Sequence, residues 1–103
     1  MAFGVMGAHY QPMGQVQVLT NMIDYGMDVQ AAIDAPRAFF DGDVTLIERG
    51  VPAATAAGLK ARGHDVAVRP LPLGGGQAIQ IDWGRGVLIG GSDPRKDGSA
   101  LGY

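Results

Sequence analysis

The stretch of this chain best suited to chemistry is Gly4-Val5-Met6-Gly7-Ala8-His9-Tyr10-Gln11-Pro12. Small residues at Gly7 and Ala8 let main-chain N–H groups come close to a ligand, and a helix starting just beyond them adds the positive end of its dipole. Such a pair can hold an anion, or the oxyanion that develops when an amide carbonyl is attacked. The same shape also serves as a plain connector into a helix. An attacking group is harder to find. Ser92, Ser99 and the three threonines have no evident neighbouring base, and Met1 offers no threonine amine.

The remaining polar candidates read as structural. His9 and His64 fall in separate elements without a close-spaced ligand partner, so no metal site is expected, and His64 directly after Gly63 suits the end of a helix. Asp24 and Asp28 are four residues apart, but Asp28 is better used as a helix N-cap, and Asp34 sits beside Pro36-Arg37. Arg37 and Arg95 each follow a proline, in Ala35-Pro36-Arg37 and Asp93-Pro94-Arg95. A rigid turn that holds the guanidinium for a buried ion pair is preferred there to substrate recognition. Gly74-Gly75-Gly76 lacks the lysine and hydroxyl residue of a phosphate loop and reads as a flexible link.

The elements that must position these residues follow from periodicity. From Pro12 to Tyr25, Val16, Leu19, Met22 and Ile23 share one helical face, with Gly26 placed for a left-handed cap. Asp28 caps a second helix that buries Val29, Ala32 and Ile33 and stops near Ala35, before Pro36. Val44 to Glu48 reads as a strand, and Val51-Pro52 opens a third helix with Ala53, Ala56, Ala57 and Leu59 inside and its end at Gly63. His64 to Arg69 alternates as a short strand. Gln77 to Trp83 and Val87 to Ile89 form a hairpin across Gly84-Arg85-Gly86, while Gly90 to Gly98 reads as turns. The order ααβαβββ favours an α+β arrangement with antiparallel pairing in a single domain over residues 1–103.

Bulk properties narrow the function classes. The 103 residues are 47% hydrophobic and 17% charged, with a net charge of −2, so the chain is ordered and carries no basic footprint for nucleic acid or anionic lipid. Cysteine is absent, which removes thiol nucleophiles, thiolate metal sites and disulfides. No apolar run approaches the roughly 20 residues of a membrane span, and no signal peptide opens the chain, so a soluble protein is expected. The 17 glycines are more than twice the average usage of about 7%, and they punctuate short elements without forming a repeat.

Taken in order, Gly4-Val5-Met6-Gly7-Ala8, Gln15 through Asp24-Tyr25-Gly26-Met27, Ala35-Pro36-Arg37, Gly63-His64 and Gly90-Gly91-Ser92-Asp93-Pro94-Arg95 resemble the C-terminal part of the γ-glutamyltranspeptidase small subunit, across nearly the whole chain. The Gln11-Pro12 pair before the long helix is similar to the acylase-like branch. The resemblance implies an N-terminal-nucleophile hydrolase with a four-layer αββα sandwich, helices packed on a mainly antiparallel sheet, in a precursor that cuts itself to free a threonine nucleophile. It implies transfer or hydrolysis of γ-glutamyl groups from glutathione-type amides, without a cofactor. It places the oxyanion donors of a Gly-Gly pair on Gly7 and Ala8, with alanine standing where the family has glycine. It makes this chain an inactive C-terminal fragment, whose partners are the large subunit and the rest of the small subunit of a cytoplasmic or periplasmic parent. Such a fragment exposes apolar surface and is expected to self-associate. The alternative is a noncatalytic α+β module that binds a small ligand or a partner.

Overall fold

The computed structural model describes residues 1–103. It is an α+β chain built as two compact units, one formed by Met1–Ala35 with Gly74–Tyr103 and the other by Pro36–Leu73.

The first unit is a three-stranded antiparallel sheet with two helices on one face. Strand β1, Ala2–Met6, is followed by a 3₁₀ turn at Ala8–Tyr10, helix α1 at Gln11–Ile23 and helix α2 at Val29–Asp34. After the excursion through the second unit, the chain returns as the last two strands, Gly75–Asp82 and Val87–Ser92, and the sheet places Gly75–Asp82 between the other two. The expected helix pair is present. Asp28 accepts a hydrogen bond from the Ala31 N–H at 2.8 Å, closing the start of α2. Val29, Ala32 and Ile33 are buried as the periodicity required.

The face of α1 differs from the expected one. Its buried positions are Gly14 and Val18, while Leu19 and Met22 are half-buried and Val16 and Ile23 face outward. Apolar spacing alone selected the wrong stripe, because the helix approaches the sheet where it has least bulk. A Cβ on Gly14 would lie 2.7 Å from Val5 Cγ1. The same holds at the sheet, where a Cβ on Gly91 would meet Ile33 Cδ1 at 2.9 Å.

Three stretches expected as connector, link and turns, Gly4–Met6, Gly75–Gly76 and Gly90–Ser92, lie in strands. Ala2–Met6 pairs with Gly75–Ile79 from Ala2↔Ile79 to Met6↔Gly75, so Gly75 and Gly76 are buried in the sheet and form no flexible link. Gly90, Gly91 and Ser92 continue the last strand, with Ser92 opposite Gln77. Glycine disfavours a strand locally, but here small residues are needed where α2 and the C-terminal residues press on the sheet. Gly98 lies against Ser92 and Gln77, and Ala100 covers Gly90. The face turned away from the helices carries Met6, Ile79, Ile81 and Leu88, all exposed.

In the second unit β2, Ala38–Asp41, which the sequence reading did not resolve, forms an antiparallel pair with β3, Val44–Ile47. Helix α3, Ala53–Ala61, then crosses over to β4, Val66–Val68, which pairs with β3 in parallel. With β4 assigned, the strands Gly75–Asp82 and Val87–Ser92 of the first unit are β5 and β6. Helix α3 buries no residue fully; Ala56 and Leu59 are half-buried, whereas Ala53 and Ala57, expected inside, are exposed. It ends at Gly63, φ +91°, with the His64 N–H bonded to the Leu59 carbonyl and the Gly63 N–H to that of Lys60. The core of this unit is Ile47 and Leu73 around a buried polar knot. The Glu48 carboxylate accepts from the main-chain N–H groups of Arg37 at 3.0 Å and Leu73 at 2.8 Å, and Arg37 Nη1 donates to the Leu73 carbonyl at 2.9 Å.

Candidate active site

Gly7 ends β1, and the chain turns there through two consecutive residues with positive φ. Gly7 has φ +137° and Ala8 has φ +50°. Gly7 occupies a region open only to glycine, and Ala8 is in the left-handed region, where its Cβ costs roughly 1–2 kcal/mol. The turn is closed by the Tyr10 N–H on the Gly7 carbonyl at 3.0 Å and by the Gln11 N–H on the Ala8 carbonyl. Pro12 then occupies the first turn of α1, where a missing N–H costs nothing. The N–H groups of Gly7 and Ala8 make no hydrogen bond within the chain, and Ala8 is exposed while Gly7 is half-buried. Two adjacent, unengaged donors on a constrained turn can receive one anionic oxygen.

Gly74, at the entrance to β5, supports this turn from below. It has φ +66°, and a Cβ there would run into the Met6 carbonyl oxygen and lie 2.8 Å from Tyr10 Cδ1. Local sequence does not reveal that Gly74 and Tyr10 support the candidate turn, because nothing local marks residues 64 positions apart as neighbours.

The other candidates resolve into structure. Arg95 caps the C-terminal end of α2, donating to the carbonyls of Ile33 at 3.0 Å, Asp34 at 3.3 Å and Ala35 at 3.0 Å, where a cation also meets the negative end of the helix dipole. It pairs with Asp93 at 3.2 Å, and Asp93, fully buried, accepts from the Gly76 N–H at 2.6 Å and the Arg95 N–H at 2.9 Å. Asp93 is therefore the hub of a network in which the sequence had singled out only the arginine. Its signal was present, since an aspartate directly before a proline is a strong cap for the turn at Pro94–Lys96.

His9 and His64 belong to different units, and the imidazole of His64 caps nothing, its main-chain N–H doing that work. Asp34 Oδ1 accepts from Gln30 Nε2 at 2.9 Å. Ser92 is buried, but its Oγ has no hydrogen-bond partner, so no base draws off its proton.

The profile of the γ-glutamyltranspeptidase family matches residues 1–103, the entire chain. The chain belongs to this family. Within it, this family member is similar to the acylase ACY 1 proenzyme of Pseudomonas sp. strain SE83, at 38% identity over 97% of the chain and 18% of that protein. It is 37% identical to the glutathione hydrolase-like YwrD proenzyme of Bacillus subtilis, over 97% of the chain and 21% of the relative. Among solved structures it resembles a cephalosporin acylase from Bacillus halodurans, with a TM-score of 0.87, 42% identity, and coverage of 98% of this chain and 20% of the other. The chain thus spans about a fifth of the curated relatives it matches. No helix in it is long and apolar enough to cross a membrane.

Proposed function

We propose that this chain supplies the oxyanion-stabilising segment of an amide-cleaving enzyme of the γ-glutamyltransferase and acylase type, with Gly7 and Ala8 as the two donors. The observation that carries the reading is the pair of unengaged N–H groups on a strained turn, in a chain whose family match is unbroken from end to end. Relatives named as proenzymes support a precursor that matures to the active form, and the proposal places its nucleophile, a threonine freed by self-cleavage, outside these 103 residues. In this scheme the threonine hydroxyl attacks the γ-glutamyl amide carbon, its own α-amine takes the proton, and the carbonyl oxygen becomes an oxyanion. The Gly7 and Ala8 N–H groups donate to that oxygen until the amine leaves and the acyl-enzyme forms. Water or an acceptor amine then attacks the ester, and the same two donors serve the second oxyanion. Alone, the chain turns nothing over. Its partners are the large subunit and the remainder of the small subunit, and the outward face bearing Met6, Ile79, Ile81 and Leu88 is the surface they cover.

The test removes one donor without changing the backbone. Proline at position 8 is too blunt, because it would force φ to about −65° where Ala8 has φ +50°. An ester in place of the Gly7–Ala8 amide in the full-length protein deletes the Ala8 N–H alone. With a chromogenic γ-glutamyl anilide, kcat is expected to fall about 10²- to 10³-fold with little change in KM. An unchanged kcat would overturn the assignment.

A further inference from the structure

We infer that Tyr10 is a positioning residue for the oxyanion turn, its ring holding Gly7 and Ala8 in a conformation they would otherwise leave. The inference rests on the oxyanion reading of those two residues. A non-glycine residue with positive φ persists only where its surroundings over-determine it, and Ala8 has φ +50°. The surroundings here converge on one side chain. Tyr10 is 3% exposed, and its ring fills a space kept open by three glycines from three parts of the fold. A Cβ on Gly7 would lie 3.3 Å from Tyr10 Cδ1, one on Gly14 only 2.5 Å from Cε1, and one on Gly74 2.8 Å from Cδ1. The ring therefore packs at once against the turn, the first turns of α1 and the entrance to β5.

The same residue grips the turn through its main chain, since its N–H donates to the Gly7 carbonyl at 3.0 Å. Its hydroxyl lies 3.4 Å from Gln17 Oε1, one side of α1 further along, so the ring is tethered at its far end as well. Loss of the ring leaves a void beside Gly7, the turn regains freedom, and Ala8 relaxes toward negative φ. That rotation swings its N–H away from the oxyanion. Because glycine holds a left-handed conformation without the Cβ penalty, a glycine at position 8 should need the ring much less.

This coupling is the test, in the full-length protein carrying this chain, with kcat and KM for a γ-glutamyl anilide measured per matured enzyme. Tyr10→Phe keeps the ring and should retain kcat within about 3-fold, while Tyr10→Leu should lower kcat about 10-fold or more with KM nearly unchanged. In an Ala8→Gly background the same Tyr10→Leu change should cost no more than about 3-fold. A merely structural Tyr10 would lose equal activity in both backgrounds, and that result, or a loss expressed in KM, overturns the inference. Should Tyr10→Leu fail to fold, Tyr10→Met, an unbranched filler, gives the same comparison in the two backgrounds. If the Gly7–Ala8 ester leaves kcat intact, the oxyanion reading itself falls; if the ester lowers kcat while the coupling is absent, only the role of Tyr10 falls.

Discussion

At the scale of single residues, the chemistry proposed for this chain is concentrated in two N–H groups whose usefulness depends on an unfavourable backbone. Ala8 keeps the donor that glycine would have, but at φ +50° its Cβ opposes the conformation. Ala8→Gly should relieve that opposition while adding freedom to the unfolded chain, for a net gain of about 0.5 kcal/mol in denaturant unfolding. A loss of stability would mean that the methyl group makes a compensating contact. Gly74→Ala is the opposite case. Its Cβ would strike the Met6 carbonyl oxygen at a residue with φ +66°, so a cost above about 3 kcal/mol is expected, together with collapse of activity in the full-length protein. Gly7 and Ala8 were legible as candidates because they fall within a series of motifs kept in family order, the small-residue turn alone serving equally as a connector. Tyr10 and Gly74 were not, because their role exists only once β1 and β5 lie side by side.

At the scale of elements, α2 shows how a six-residue helix, too short to be stable alone, is held at both ends. Asp28 closes the first turn, and Arg95, 61 residues beyond Asp34, closes the last. The two ends should differ in cost. Asp28→Ala removes one exposed cap, worth about 1 kcal/mol. Arg95→Ala removes three bonds to the last α2 carbonyls and the cation beside the buried Asp93 carboxylate, which keeps its two main-chain donors, and this argues for a larger cost of about 2–4 kcal/mol. Urea unfolding of the two variants should rank them in that order, and the reverse ranking would show that the Asp93–Arg95 pair adds little. The N-cap was readable from Asp28 because its partner is three residues away, within one turn. The C-terminal cap was visible only as an arginine after a proline, since sequence does not say which carbonyls a distant guanidinium will meet.

At the scale of the whole molecule, the sheet of the first unit has helices on one face and exposed apolar side chains on the other. Met6 at 57%, Ile79 at 50% and Leu88 at 69% exposure gather into one apolar patch on that outer face. The isolated 103-residue chain should therefore self-associate, and Leu88→Lys should shift it toward monomer in light scattering. If Leu88→Lys leaves association unchanged, the contact lies elsewhere. The same isolated chain should show no hydrolysis of a γ-glutamyl anilide, and clear turnover would contradict the proposed division of labour with the rest of the protein.

The sequence by itself determined the three helices with their stops and the Asp28 cap, the β5–β6 hairpin, the α+β class and the family, because each rests on residues a few positions apart or on motifs kept in order. Composition misled where glycine was dense. Gly75–Gly76 and Gly90–Ser92 read as a link and as turns, yet both lie in strands, because strand formation depends on a partner and on the bulk of whatever packs above it. Tertiary structure alone decided which stripe of α1 is buried, which carbonyls Arg95 caps, and the left-handed turn that leaves two N–H groups free. These are properties of long-range contacts, in which glycine acts through the space it leaves for a neighbour such as Tyr10, and no local pattern encodes that space.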